Sequence, residues 1–213
     1  MQRTVNGAAG VGVRRFSMRY SFFALISRMK NITRWSLMRN SSLENVQEHS
    51  HMVAVIAHAL AVIRREVFGE DSDPGQAAAC ALFHDASEII TGDMPTPIKY
   101  FDQDIMSAYK RIETIASRSL LSSLPQQMRN AYEPLLSPGA NSETLALVKA
   151  ADNLAAYIKC IEELKTGNLE FKLAAQQSLK KLEALRMKEV EYFINHFISA
   201  FELTLDELDL SLD

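Results

Sequence analysis

The sequence predicts an all-α fold, built as a single helical bundle. Three observations predict it. Apolar residues recur at spacings of three and four over most of the chain, the period of a helix with one buried face. Alternating runs of β-branched residues, the mark of a half-buried strand, are scarce. The breaks between periodic stretches are short and no long linker divides the chain, so one domain accounts for it. No internal repeat or low-complexity tract interrupts the pattern.

The elements follow in order. Residues Met1 to Ser17 hold Gly7, Gly10, Gly12, Arg14 and Arg15 and no acid. They lack the continuous apolar run of a secretory signal. They are expected to form a flexible extension (1–17) ahead of a domain spanning 18–213, with Met18 a natural alternative start. A first helix is expected from about Tyr20 to Asn31. A second runs from about Leu43 to Phe68 and stops at Gly69, since glycine readily takes the left-handed conformation that ends helices. A third starts at Pro74 with Asp73 as N-cap and is expected to reach about Ile90. Its stretch from Ala77 to Phe83 is apolar nearly all round, which predicts a central buried helix. Thr91-Gly92-Asp93-Met94-Pro95-Thr96-Pro97 is a loop, because two prolines and a glycine prevent helix. Further helices are expected over about Asp102–Ser122, after Pro125, and from near Ser142 to near Gly167. A long final helix follows from about Leu169 into Phe201, where Phe193, Phe197 and Phe201 mark either core or a dimer face.

Composition narrows the function. With 213 residues, 47% hydrophobic and 23% charged, the chain has ordinary globular proportions, which argues against disorder. A chain of this length buries roughly 70% of its unfolded surface, enough for a core without staples. The net charge of −3, with no basic stripe, argues against a nucleic-acid polymer as partner. A phosphate ligand must then be held by a few local cations or a metal. No apolar run approaches the ~20 residues that span a bilayer, so no membrane partner is expected. Cys80 and Cys160 sit in apolar, helix-like runs without C-x-x-C spacing, which predicts buried thiols in a reducing compartment, the cytoplasm.

The polar residues on apolar faces carry the chemistry. Val46, His49, Val53, Ile56, Leu60, Ile63 and Val67 form one stripe, so His49 faces inward while His51 and His58 face outward. Alone, His49 is accounted for as a core histidine with a hydrogen-bond partner. His84, Asp85 and Glu88 fall on one patch if the third helix continues through them. Such groups are costly on an apolar helix unless paired or bound to metal, and no Arg or Lys within that helix can pair them. Asp152 lies beside the stripe of Leu147, Ala151, Leu154, Ile158 and Ile161, and alone could sit exposed at its edge. Together, His49, His84, Asp85 and Asp152 offer nitrogen and oxygen ligands that suit Mn, Co, Fe, Ni or Zn with open positions. The absence of thiolates argues against a structural zinc site.

Several neighbours suit phosphate chemistry. Arg34 has the planar fork that matches phosphate oxygens, although a single arginine is ordinarily a surface residue. Trp35, the only tryptophan, is ordinarily core, but its indole N–H can donate to a phosphate or its ring stack on Arg34. Glu88 in an apolar pocket would have a raised pKa, which suits proton transfer from an attacking water. The proline-rich loop either presents Asp93 and Thr96 to a sugar or simply connects helices; Lys99 behind it adds charge.

The pattern His49…His84-Asp85…Asp152 resembles that of the HD-domain phosphohydrolase superfamily. More specific are Arg34-Trp35, Glu48-His49-Ser50, Phe83-His84-Asp85-Ala86-Ser87-Glu88, the stretch Thr91 to Tyr100, and Lys149-Ala150-Ala151-Asp152. These resemble the bacterial 5'-deoxynucleotidases of the YfbR type, and the likeness runs from about Met18 almost to the C-terminus. The resemblance implies an HD-domain helical bundle with long C-terminal helices that hydrolyses deoxyribonucleoside 5'-monophosphates to deoxynucleoside and phosphate. It implies His49, His84, Asp85 and Asp152 as ligands of one divalent transition metal per subunit, Co2+ or Mn2+ in assays. It implies Glu88, Trp35 and Asp93 in catalysis, and Arg34, Trp35, His49, Asp85, Asp93, Met94, Pro95, Thr96 and Asp152 around the substrate. A homodimer and little preference among bases complete it.

Two other readings stand beside this one. Another HD-domain nucleotide or polyphosphate hydrolase would need further cations or further inward histidines, while His51 and His58 face outward and His196 lies far downstream. A non-catalytic, metal-stabilised helical binding module would have no use for Glu88.

Overall fold

The computed structural model describes residues 20–95, 101–137, 139 and 142–208, and these contain helices and no strand. The expected extension over residues 1–17 lies outside them. The helices are α1 (Phe22–Ile26), α2 (Val46–Val62), α3 (Pro74–Leu82), α4 (Glu88–Thr91), α5 (Gln103–Ser122), α6 (Gln126–Leu136), α7 (Glu143–Lys165), α8 (Lys172–Leu185) and α9 (Lys188–Phe197).

Helix starts follow local chemistry. Asn45 caps α2 by accepting from the Gln47 and Glu48 amides, both at 3.0 Å, and Glu48 returns the favour to the Asn45 amide at 3.3 Å. Such a reciprocal box satisfies orphan donors at both positions. Asp73 caps α3 through the Gln76 amide at 2.9 Å, with Pro74 in the first turn as expected. Asp102 and Ser142 cap α5 and α7.

The main core forms where α2 meets α3 and α7, with α8 and α9 closing one side. Ala57, Ala61, Ala77, Ala81, Ala150 and Ala151 are all fully buried there. Small side chains at these contacts let the axes approach toward the lower end of the usual 8–10 Å. Val53, Leu60, Leu147, Leu154 and Leu182 fill the space between. A second cluster joins Phe22, Ala86, Leu120 and Leu124, and a third joins Cys160, Phe171 and Ala175 with Trp35 against it. Both cysteines are buried free thiols.

Three expected elements differ. The third helix does not reach Ile90. It ends at Leu82, and residues 83–87 form tight turns before α4. The amides of Phe83, His84, Ala86 and Glu88 bond three residues back rather than four. Its burial is also one-sided: Ala77, Cys80 and Ala81 are enclosed, whereas Leu82 is exposed. The long final helix is two helices. Arg186 takes a left-handed conformation with φ of 51° and Met187 is extended, so the chain restarts at Lys188. No glycine or proline marks that break in the sequence. The first helix is α-helical only to Ile26 and continues as a 3-10 turn to Asn31. In the last helix Phe193 is buried and Phe197 is about half exposed, and Phe201, in the 3-10 turn that follows, packs on the core. Among the described residues no helix is long and apolar enough to cross a membrane.

Candidate active site

The helices bring His49, His84, Asp85 and Asp152 to one place. His49 projects from the first turns of α2 and is fully buried, while His51 and His58 are exposed, as the periodicity predicts. His84 and Asp85 come from the turns between α3 and α4, and Asp152 from α7. His49 Nε2 lies 3.0 Å from Asp152 Oδ1 and 3.7 Å from Asp85 Oδ2. His84 Nε2 lies 3.1 Å from Asp85 Oδ2 and 4.0 Å from Asp152 Oδ1. One ligand atom each from His49, His84 and Asp152 falls within 4.8 Å of the others.

The break after Leu82 serves this convergence. His84 Nδ1–H donates to the Ala81 carbonyl at 2.7 Å, which orients the ring and leaves Nε2 pointing into the cluster. That nitrogen is buried and has no hydrogen-bond partner among the described residues. His49, His84 and Asp152, with one imidazole already held from behind by a carbonyl, could hold a divalent metal ion; Asp85 falls outside that group and lies against His84 and Arg34.

Arg34 and Trp35 precede α2, in a segment tied back by a bridge between Thr33 and Asn45. Arg34 Nη1 donates to Asp85 Oδ2 at 3.3 Å. This is the buried cation that the third helix lacks; it arrives from a segment far away in sequence. Trp35 donates its indole N–H to Glu44 Oε2 at 3.1 Å and packs its ring on Phe171. The indole donor expected to serve a phosphate is thus already engaged by a carboxylate.

Glu88 opens α4 and is only 7% exposed, and its Oε2 has no hydrogen-bond partner among the described residues. It reaches the site across the turns rather than one helical turn beyond His84. Asp93, Met94 and Pro95 follow Gly92, whose φ of 71° turns the chain out of α4. Thr96 and Lys99 lie outside the described residues.

The charges interact strongly. Burial alone would lower the His84 pKa, but Asp85, Asp152 and the Ala81 carbonyl outweigh it and lift the imidazole to about 9. Burial pushes the Asp85 carboxyl up, yet His84, His49 and Arg34 hold it well below the usual range. Asp152 is held down in the same way, chiefly by its hydrogen bond with His49. Glu88 goes the other way: burial, then repulsion from Asp85 and Asp93, raise it to about 9 against the pull of Arg34 and His84. Carboxylates pushed apart in this fashion within one pocket are a pattern common at sites with an acid–base task.

Two features escape sequence reasoning. Glu44 touches both Arg34 and Trp35, yet no helical spacing links it to them. Glu163, buried in α7, accepts from Lys159 at 2.5 Å, from the Ser41 and Ser42 amides at 2.8 and 3.2 Å, and from Asn168 at 2.8 Å. That network fastens the segment between Trp35 and α2 onto α7. The only signal for it was a Lys-Glu pair four apart on a largely apolar helix.

The chain is 49% identical to the 5'-deoxynucleotidase YfbR of Escherichia coli (strain K12 / DH10B) over 188 residues, covering 88% of this chain and 94% of that one. It is 48% identical to the 5'-deoxynucleotidase of Erwinia tasmaniensis, over 88% of this chain and 95% of the relative. Among solved structures, an HD-domain phosphohydrolase from Listeria innocua superposes with a TM-score of 0.73 at 24% identity, covering 85% of this chain and 88% of that one. A cyanophage S-2L HD phosphohydrolase bound to dA and one catalytic Zn2+ ion superposes with a TM-score of 0.56 at 20% identity, covering 83% of this chain and 95% of that one. Both likenesses are to the fold. The model of the family described as "5'-deoxynucleotidase YfbR-like" matches residues 21–201, and the chain therefore belongs to the YfbR-like 5'-deoxynucleotidase family.

Proposed function

We propose that this chain is a metal-dependent 5'-deoxynucleotidase that hydrolyses deoxyribonucleoside 5'-monophosphates to deoxynucleoside and phosphate. The observation that carries the reading is the meeting of His49, His84, Asp85 and Asp152 beside Arg34 and the buried Glu88, whose Oε2 has no hydrogen-bond partner among the described residues, in a chain of the YfbR-like family. His49, His84, Asp85 and Asp152 would hold one divalent ion. When bound, that ion supplies Lewis-acid polarisation of a phosphoryl oxygen and acidifies a water.

The chain's own residues do the rest. Arg34, flanked by Glu44 and Asp85, has its pKa raised further, since these carboxylates with Asp152 and Asp93 outweigh its burial. It is permanently charged and offers its guanidinium to the phosphate. Glu88 is mostly protonated at neutral pH in the metal-free cluster, and a bound cation would favour its carboxylate form; that carboxylate takes a proton from the attacking water as the new P–O bond forms and returns it to the sugar oxygen as the P–O5' bond breaks. A carboxyl whose pKa is raised by its surroundings can both accept and return a proton near neutral pH. Asp93, Met94 and Pro95 line the sugar and base, and Trp35 shares with Arg34 the carboxylate oxygen of Glu44. The preference for deoxyribose rests on family membership; the dA bound to the cyanophage HD phosphohydrolase is in keeping with it.

We read residues 18–213 as one catalytic domain working as a homodimer in the cytoplasm, with Co2+ or Mn2+ supporting activity. The test is phosphate release from dAMP and AMP side by side, with Co2+ or Mn2+. Release from dAMP with little from AMP supports the reading. Release from neither, by protein that binds the metal, overturns it.

A further inference from the structure

Glu44 lies in the segment ahead of α2, with its side chain 17% exposed. Its Oε2 accepts from Arg34 Nε at 3.2 Å and from Trp35 Nε1 at 3.1 Å. Its Oε1 lies on the other side, 3.9 Å from His49 Nδ1. That His49 nitrogen is buried and has no hydrogen-bond partner among the described residues, while Nε2 of the same ring faces Asp152. Here Nε2–H donates to Asp152; with an ion bound, Nε2 would give its lone pair and the ring hydrogen would sit on Nδ1, where a buried N–H needs an acceptor. Glu44 Oε1 is the carboxylate oxygen facing it.

The backbone adds a second restraint. The Arg34 amide donates to the Glu44 carbonyl at 2.9 Å, which places the two side chains on the same side of the Thr33–Asn45 bridge. Trp35 has a φ of 56°, a left-handed conformation that a bulky side chain seldom takes. Strained residues of this kind persist only where their surroundings over-determine them. Here the indole is bound by Glu44 and the Trp35 carbonyl accepts from Asn40 Nδ2 at 3.2 Å.

We propose that Glu44 is a positioning residue shared by the two halves of the site. One oxygen sets the plane of the Arg34 guanidinium and the indole of Trp35. The other, 3.9 Å from His49 Nδ1 and beyond hydrogen-bond reach without an ion, would close on that nitrogen when Nε2 holds the ion and so fix the tautomer of His49. The inference rests on the nucleotidase reading for its consequences in turnover, but its structural content concerns this chain alone. A side chain that only braced the loop would alter stability and leave the two binding functions unchanged.

The experiment compares the full-length wild type, Glu44→Ala and Glu44→Gln. Three quantities are measured: Co2+ affinity of the metal-stripped protein by calorimetry, KM and kcat for dAMP, and the emission of Trp35. Trp35 is the only tryptophan in the sequence, so its emission reports on the Glu44 contact directly. Loss of a partner behind a metal-binding histidine typically weakens metal affinity about 10–100-fold. Glu44→Ala is expected to weaken Co2+ binding by about that factor, to raise KM for dAMP, and to shift the Trp35 emission. Glu44→Gln keeps an amide oxygen for Arg34 and Trp35 but has lost the charge and the second acceptor. It is expected to hold KM and emission near wild type while Co2+ binding still weakens. A folded Glu44→Ala with Co2+ affinity and KM within twofold of wild type overturns the proposal, as does lowered thermal stability in both variants with Co2+ affinity unchanged. If the wild type releases no phosphate from dAMP, the nucleotidase reading fails, and Co2+ affinity and emission still decide the role of Glu44.

Discussion

At the scale of single residues, Glu88 and Arg34 show how burial and partners assign opposite tasks to neighbouring groups. Glu88 is enclosed, its Oε2 lacks a donor among the described residues, and Asp85 and Asp93 repel it, so it holds its proton far above the usual carboxyl range. Arg34 sits between Glu44 and Asp85 and stays charged. Glu88→Gln preserves shape and removes the titrating oxygen. It is expected to lower kcat for dAMP by about 10²–10⁴-fold, the usual size of a general acid–base contribution. Thermal stability and Co2+ affinity should stay close to wild type. If kcat survives within a factor of three, Glu88 has no part in proton transfer. His49, His84 and Asp152 were legible as a set because each stands out against an apolar stripe. Glu44 was not, because a charged residue in a loop is the ordinary case until its partners are known.

At the scale of elements, the segment from Trp35 to Asn45 is held by α7 through Glu163. Lys159 donates to both Glu163 and the Ser42 carbonyl, and Asn168 donates to both Glu163 and the Arg39 carbonyl. Glu163→Ala leaves the Lys159 amine buried without its counter-ion. Removing one partner of a buried pair costs about 3–5 kcal/mol, which urea denaturation should register. The same pair gives a pH dependence. Burial pushes the Glu163 carboxyl up, but Lys159, the Ser41 amide, Asn168 and the Ser42 amide outweigh it and hold it well below its ordinary value of 4.5. Its contribution is therefore complete above that ordinary value and is lost as pH falls toward the lower folded value. The stability gap between wild type and Glu163→Gln should be constant from neutral pH to about pH 5–6 and narrow below it. A gap that widens on acidification would reverse the assignment. The α2–α7 contact offers a packing test. Ala151 is fully buried, and Ala151→Leu should cost about 1–3 kcal/mol through overpacking, measured by thermal denaturation.

At the scale of the whole molecule, four separate stretches of chain meet at one cluster rich in carboxylates. Bringing Asp85, Asp152, Glu44, Glu88 and Asp93 together opposes folding unless cations answer them, and Arg34, His49 and His84 answer only in part. A divalent ion that binds only the folded chain should therefore stabilise it. With free Co2+ at about 100 times its Kd, linkage gives roughly 2.7 kcal/mol. For a chain of this size that corresponds to a rise in Tm of about 5–10 °C. Chelation should remove both the shift and the phosphatase activity, and re-addition should restore them. A Tm indifferent to Co2+ and chelator alike would show that the cluster does not bind it.

Local sequence alone was enough to determine the helical class, most helix starts and the inward face of His49. These depend on spacing within one helix or on a cap beside it, and both are written in consecutive residues. Only the tertiary structure decided the rest. At 83–87 the chain leaves the expected helix for turns, and there His84 Nε2 meets Asp85 and Asp152. The break at Arg186 has no glycine or proline to announce it. Arg34 meets Asp85 across 51 residues, His49 meets Asp152 across 103, and Ser41 meets Glu163 across 122. Periodicity states which face of a helix turns inward; which distant group waits there is set by how the faces pack.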